Sequence, residues 1–264
     1  MHSDELFQYN RQAWDGLAKK NNEWTVPASA ETIDRARQGD WRIVLTPEKP
    51  VPGTWLKSVS DHDILCLAGG GGQQAPILAA AGGRVTTLDN SPAQLASDRA
   101  VADREGLKIR TVLGQMDDLS AFADESFDLI VHPCSNCFAP RIRPVWQEAF
   151  RVLRPGGSLL SGFANPVRYL FDSFQMQEGN LVVKHKLPYS DLKDLPDEER
   201  QRLIEDNEPM EFGHTLTDQI GGQIDAGFVI SGMYEDNWQI PEEPLSRYLE
   251  SFIATQATRP GSQT

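Results

Sequence analysis

The chain has 264 residues, of which 39% are hydrophobic and 24% are charged, a composition that supports one large α/β domain with a substantial core. The formal net charge of -13 argues against a nucleic-acid partner, because proteins that bind phosphate backbones usually carry a basic patch. No apolar run approaches the roughly 20 residues that span a bilayer, and the acidic N-terminus lacks the regions of a signal peptide, so we expect a cytoplasmic location and no membrane partner.

The first 60 residues are predicted to form a helical and irregular cap. Apolar residues near one face of residues 1 to about 20 predict an amphipathic helix, and Ala30 to Gln38 predicts a short second one. Tyr9, Asn10 and Trp14 either form a lid over a ligand or pack on the core, and these two interpretations are compatible.

Strands and helices are predicted to alternate from Asp63 onward, with four glycines, Gly69 to Gly72, after the first strand. The alternation predicts parallel βαβ units with right-handed crossovers. The predicted elements up to residue 113 are a strand at 63–68, a helix at 73–82, a strand at 84–89, a helix from Pro92 to Glu105 and a strand at 108–113.

The second half keeps this alternation on both sides of an insertion. The insertion, at about 165–213, is charged and is placed where a substrate lid is usual. The other predicted elements are a strand at 127–132, a helix at 142–152, a turn at 154–157, a strand at 158–163, a helix at 215–226, a strand at 228–234 and a helix at 242–256.

The glycine run and the acid that ends the next strand predict a nucleotide-like cofactor. Glycines let the backbone turn tightly and approach a ligand, and Asp89 is placed to accept hydrogen bonds from ribose hydroxyls. A flexible loop and an ordinary exposed acid are the alternatives. An NAD(P)-dependent oxidoreductase uses similar features, but its fingerprint places a glycine where Gln74 stands.

Several segments resemble the class I S-adenosylmethionine-dependent methyltransferases. Cys66-Leu67-Ala68-Gly69-Gly70-Gly71-Gly72 is similar to the family's first motif, and Arg151-Val152-Leu153-Arg154-Pro155-Gly156-Gly157 is similar to the signature before its fifth strand. The resemblance implies a Rossmann-like three-layer sandwich over 61–264. Its seven-stranded sheet is mostly parallel, with an antiparallel last strand and an inserted lid.

The same resemblance implies S-adenosylmethionine as the cofactor and S-adenosylhomocysteine as the product. Cys66 stands where the family has an acid and Ala68 where it has its first glycine, which are departures from the pattern. The implied cofactor-binding residues are Ala68, Gly69, Gly70, Gly72, Asp89, Asn90, Gln94, Met116, Asp117 and His132.

The predicted reaction moves a methyl group by in-line displacement to a small-molecule acceptor whose identity is left open. His132 and His214 are candidate bases, because strand and helix ends converge near them; the alternative for His132 is a neutral histidine that satisfies local hydrogen bonds. Cys134 and Cys137 have CxxC spacing, but a structural zinc site needs four ligands and no second pair exists, so no metal is expected.

Two further classes stay open, an NAD(P)-dependent oxidoreductase and a non-catalytic module that binds S-adenosylmethionine. The oligomeric state is also left open by the sequence.

Overall fold

A seven-stranded sheet forms the centre of the protein in the computed structural model, which describes residues 3–20, 22–56, 58–238 and 243–261. The strands are β1 (Asp63–Leu67), β2 (Arg84–Asp89), β3 (Ile109–Leu113), β4 (Phe127–His132), β5 (Leu153–Ala164), β8 (Val229–Asp236) and β9 (Phe252–Thr258). Their spatial order is β3-β2-β1-β4-β5-β9-β8, and β9 is antiparallel to both of its neighbours. The predicted fold class is therefore confirmed, including the antiparallel last strand.

Helices cover both faces of this sheet, and their ends follow the sequence signals. The Ser91 side chain accepts a hydrogen bond from Gln94 N at 3.1 Å and caps the helix after β2, and Gly106 ends that helix with φ +66°. The main helices are α1 (Ser3–Lys19), α2 (Ala30–Arg37), α3 (Gln74–Ala80), α4 (Pro92–Glu105) and α5 (Arg143–Val152).

The chain between β5 and β8 is built from short elements. A two-stranded ribbon, β6 (Tyr189–Ser190) with β7 (Phe212–Gly213), closes it into a separate layer over one end of the sheet. Its helices are α6 (Ser173–Gln177), α7 (Asp191–Asp194) and α8 (Asp197–Asp206), and α9 (Gly222–Asp225) follows a π-helical turn at Thr217–Gly221.

The core lies on both faces of the sheet because successive strand residues point to opposite sides. Ile64 and Cys66 of β1 face a cluster that includes Leu45, whereas Leu65 faces a cluster centred on Trp146. Leu45 thus brings the N-terminal segment into the same core as the sheet. Both clusters consist mainly of buried side chains, and burial of this kind is the main source of stability.

The helix predicted at 242–256 is wrong, and its first residue lies outside the described part of the chain. A short 3₁₀ turn covers Pro244–Arg247, and β9 begins at Phe252. The segment Phe252 to Thr258 can satisfy either periodicity, but between β5 and β8 its backbone groups find partners on both sides. The turn predicted at 154–157 is also absorbed into β5, where Gly156 N donates to Arg259 O at 2.8 Å.

The carboxyl ends of β1, β2, β4 and β5 meet at one edge of the sheet. In open α/β sheets, ligands bind in the crevice outside these strand ends. Within the described residues, no helix has both the length and the apolar content that a membrane crossing requires.

Candidate functional site

The glycine loop after β1 folds back onto the turn that follows β2. Ala68 N donates to Leu88 O at 2.8 Å, and Gly70 N donates to the Asp89 carboxylate at 2.9 Å. A Cβ on Gly70 would lie 2.8 Å from the Gln94 Cβ, so only glycine fits there. The missing side chain leaves a backbone-walled cradle that opens into the adjacent cavity.

Asp89 is held by two backbone amides at the end of β2. Its Oδ2 accepts from Gly70 N and its Oδ1 from Ser91 N at 2.8 Å. Burial raises the pKa of the Asp89 carboxyl, and the two amides oppose that rise. Each oxygen keeps a second lone pair, so the carboxylate can still accept hydrogen bonds from a pair of hydroxyl groups.

Gln94 contributes a polar atom that the described residues leave unsatisfied. Its Oε1 is buried with no hydrogen-bond partner and lies 2.9 Å from the position of a Cβ built on Gly71. A buried amide oxygen without a partner is costly, and a bound donor group in the cavity would remove that cost.

A cavity of about 280 Å³ opens beside this cradle and runs along the carboxyl edge of the sheet from β2 to β5. Its volume lies near the lower end of the range of roughly 300–1,000 Å³ that is usual for small-molecule sites. The aromatic side chains in its wall are Phe7, Trp14, Trp24, Phe138, Tyr169, Trp238 and Phe252.

Seven of the ten predicted cofactor-binding residues line this cavity. They are Ala68, Gly69, Gly70, Asp89, Asn90, Gln94 and Met116. Gly72 instead packs behind the loop, where a Cβ would lie 3.0 Å from the Pro27 Cβ. Asp117 is partly buried next to the wall without lining it, and burial raises the pKa of its carboxyl.

His132 is fully buried and does not line the cavity, so it is withdrawn both as a candidate base and as a predicted cofactor contact. Its Nδ1 lies 2.8 Å from Leu67 O, and its Nε2 bonds with Asn136, which donates to Gln219 at 2.8 Å. Burial lowers the pKa of His132. The histidine therefore belongs to a buried polar network that holds the end of β4.

His214 is likewise buried and away from the cavity wall. Its Nε2 lies 2.9 Å from Ala139 O and 3.2 Å from Asn136 O, and burial lowers its pKa. It supports the 3₁₀ turn Asn136–Phe138, whose outer side lines the cavity. Neither histidine is retained as a catalytic residue.

Helix α1 closes the cavity from outside. The Arg11 guanidinium donates to Asn90 O at 3.0 Å, and Ser91 Oγ donates to the Asp15 carboxylate at 2.5 Å. On the other side, Asn10 exchanges two hydrogen bonds with the Met210 backbone, at 2.9 and 3.1 Å. The helix thus bridges the Asp89 loop and the segment that precedes β7.

The far end of the cavity carries charged and polar groups after β4 and β5. Tyr169 OH donates to Glu211 Oε2 at 2.9 Å, and Arg168 forms an ion pair with Glu243. Burial raises the pKa of Glu211, while Arg168 and the Tyr169 hydrogen bond oppose the rise. Cys134 and Cys137 line this end as free thiols.

Sequence reasoning missed most of this far end. Glu211 and Tyr169 lie in the insertion, where the ribbon strands are only two residues long and leave no periodic signal. Gly213 packs directly against Tyr169 at this end, because a Cβ there would lie 2.5 Å from the Tyr169 Cγ. In the described residues, no cluster of three or more histidine, cysteine or acidic side chains is placed to hold a metal ion.

Ala68 adopts φ +47°, a left-handed conformation that L-residues avoid. We expect Ala68→Gly to raise the free energy of unfolding by up to about 1 kcal/mol, because glycine relieves this strain. Urea denaturation measures the change. Ala79→Gly in α3 is the control and should lower stability by about 1 kcal/mol. A loss of stability in Ala68→Gly would contradict the interpretation.

Three comparisons place the chain among known proteins. A family model described as a methyltransferase domain matches residues 65–161. The chain is 51% identical over 254 residues to the uncharacterized methyltransferase YbaJ of Bacillus subtilis, covering 96% of this chain and 98% of the relative.

The fold is similar to solved structures at low sequence identity. An S-adenosylmethionine-dependent methyltransferase from Mesorhizobium loti superposes with a TM-score of 0.61 at 18% identity, over 78% of this chain and 94% of that one. A putative methyltransferase solved with the Haloferax volcanii Trm112 activator gives a TM-score of 0.56 at 16% identity, over 96% of each chain.

Proposed function

The chain belongs to the class I S-adenosylmethionine-dependent methyltransferases, and from this premise we propose that it methylates a small-molecule acceptor held in the cavity beside the glycine loop. Because the chain belongs to this family, the NAD(P)-dependent oxidoreductase and the non-catalytic binding module are no longer open alternatives. The acceptor, the cofactor-binding residues and the division into a cap (1–60) and a domain (61–264, with the insertion at about 165–213) are parts of the proposal. The cytoplasmic location stays a prediction.

The observation that carries the proposal is the cradle formed by Gly70, Asp89 and Gln94. Asp89 retains acceptor capacity for the two ribose hydroxyls of the cofactor, and the Gly70 backbone can approach it without a side chain. S-adenosylmethionine, when bound, supplies an electrophilic methyl group on a sulfonium.

A small acceptor fits the enclosure of the site. Helix α1 and the insertion cover a cavity of about 280 Å³, which is too confined for a folded polymer. Holding the acceptor in line with the methyl and excluding water supplies a large part of the rate, on the order of 7–11 kcal/mol in favourable cases. The aromatic wall supplies flat apolar surfaces for that positioning.

Calorimetric titration with S-adenosylhomocysteine tests the cofactor site. We expect wild-type protein to bind it and Asp89→Asn to bind it at least tenfold more weakly, because the amide loses charge-assisted acceptor strength toward the hydroxyls. Asp103→Asn makes the same substitution on the exposed side of α4 and should bind as wild type does. No binding by wild type would overturn the cofactor site, and undiminished binding by Asp89→Asn would overturn the role of Asp89.

A further inference from the structure

We infer that Glu211 receives the proton of the methyl acceptor, and that the acceptor atom is therefore an O–H or N–H nucleophile rather than an anion. The inference rests on the proposed function and assigns the acceptor half of the same cavity. Two observations support it: the strand ends that form each half of the cavity, and the side chains in the acceptor half that can accept a proton.

The cavity has two halves along the edge of the sheet. One half is lined by the ends of β1 and β2, with Gly70, Asp89 and Gln94. The other half lies beyond the ends of β4 and β5, where Cys134 and Tyr169 line it, and Glu211 enters from the strand β7 side. Since the first half fits the cofactor, the acceptor occupies the second.

Glu211 is held in place without being neutralised. Its backbone N donates to the Asp191 carboxylate at 2.6 Å, and Tyr169 OH donates to Oε2 at 2.9 Å. With these hydrogen bonds to described residues in place, the Oε1 atom of Glu211 can still accept a further hydrogen bond. Arg168 lies close enough to act on Glu211, but its own ion pair is with Glu243.

The other ionisable side chains in this wall are poor proton acceptors. Burial raises the pKa of Cys134 to about 12 and the pKa values of Cys137 and Tyr169 well above their usual range, so all three stay protonated near neutral pH. Asp89 lies in the other half of the cavity. Among the described lining residues, Glu211 is the carboxylate left to the acceptor half.

Burial also raises the pKa of Glu211, which brings this carboxyl nearer to the working pH of a general base. The neighbouring groups that act on it are Arg168, Tyr169 and Glu208, and Asp191 lies on its backbone side. An anionic acceptor would face the Glu211 carboxylate at this point, and the Arg168 guanidinium that lines the same end is already paired with Glu243, so the carboxylate makes an anion unfavourable here.

Bonds and charges balance in the methyl transfer. The lone pair of the acceptor oxygen or nitrogen forms a bond to the methyl carbon, and the sulfur–carbon bond breaks with its electron pair remaining on sulfur. The proton of the acceptor atom passes to a carboxylate oxygen of Glu211 and later to water. A base in this position contributes roughly 10²–10⁴ in rate.

The Glu211→Gln variant tests whether the negative charge of Glu211 lies beside the transferred methyl group, and this test does not require the acceptor to be identified. A carboxylate beside the transferred methyl favours the sulfonium of S-adenosylmethionine over the neutral sulfur of S-adenosylhomocysteine. We expect the variant to bind S-adenosylmethionine about tenfold more weakly and S-adenosylhomocysteine within about twofold of wild type. Equal effects on both ligands, or none, would overturn the inference.

Glu205→Gln is the matched control, because it removes a carboxylate from an exposed side chain of α8 that does not act on Glu211. It should leave both affinities unchanged. The wild-type preference for S-adenosylmethionine should rise with pH as the Glu211 carboxylate forms, and the preference of Glu211→Gln should stay flat. If Glu211→Gln fails to fold, a wild-type preference that does not rise with pH above the usual range of a glutamate pKa decides against the inference.

Turnover tests the proton transfer with a donor that carries a deuterated methyl group. The acceptor source is a protein-free small-molecule extract of Bacillus subtilis, and labelled products are identified by mass spectrometry. We expect label on oxygen or nitrogen and an initial rate at least a hundredfold lower in Glu211→Gln. Labelled carboxylate esters, or a surviving rate, would contradict the inference. No labelled product would contradict the small-molecule acceptor, whereas the binding of S-adenosylhomocysteine separately tests the cofactor site.

Discussion

Gly162→Ala is expected to destabilise the protein by about 3 kcal/mol or more, because the segment before the sheet lies directly on the β5 backbone at this residue. A Cβ on Gly162 would collide with the Leu45 carbonyl, whose carbon would lie 2.7 Å away. That carbonyl cannot move freely, since it accepts a hydrogen bond from Cys134 N at 2.9 Å.

The same substitution should also weaken cofactor and acceptor binding, because Leu45 and its neighbour Thr46 line the cavity. Urea denaturation measures the loss, and Gly53→Ala is the control because a Cβ there meets no atom within 4 Å. An unchanged unfolding midpoint for Gly162→Ala would show that this segment does not rest on the sheet.

Asp98→Asn is expected to stabilise the protein at pH 7, by an amount on the order of a few kcal/mol. Asp98 is fully buried behind the glycine loop, where its Oδ1 accepts from Gly72 N at 3.0 Å and its Oδ2 has no partner among the described residues. Burial and then the nearby Asp89 raise the pKa of Asp98 from 3.8 to about 8, against the weaker pull of Gly72 N and Arg99.

The sign of the pH dependence follows from proton counts. Between about pH 4 and pH 8 the folded protein keeps a proton on Asp98 that the unfolded chain releases, so this residue costs more stability as pH rises. Asparagine carries no such penalty and still accepts the Gly72 hydrogen bond. The advantage of the variant over wild type should therefore be near zero at about pH 4 and grow toward pH 8.

Denaturant unfolding of both proteins across this pH window measures the difference directly. Asp103→Asn, on the exposed side of the same helix, should show no growing advantage. A variant that is less stable than wild type at pH 8 would mean that the Asp98 carboxylate is satisfied by a group that these contacts do not include.

The sequence predicted β1, β2 and β4 closely because each is a short buried run. The residues that line the cavity at the ends of β1 and β2 were predicted from position alone, since strand ends in a parallel sheet share one edge. The cradle at Gly70 and Asp89 is therefore a local property of the chain.

The histidines and the acceptor half depended on long-range contacts. His132 and His214 are polar residues near strand ends, and nothing in their local sequence reveals that Leu67, Asn136 and Ala139 already occupy their ring nitrogens. Glu211 reaches the cavity only because an insertion without regular periodicity folds back over the sheet. β9 was misjudged for a related reason, because its pairing partners are distant in sequence.

Helix α1 has a kinetic consequence through its two sets of contacts. Arg11 and Asp15 hold it to the loop after β2, and Asn10 holds it to Met210. We expect a spent cofactor to leave only after these bonds open together, which makes release a unimolecular motion on the microsecond to millisecond timescale of loop opening. The undocking of one N-terminal helix would then set the upper limit of the turnover number, however reactive the acceptor is.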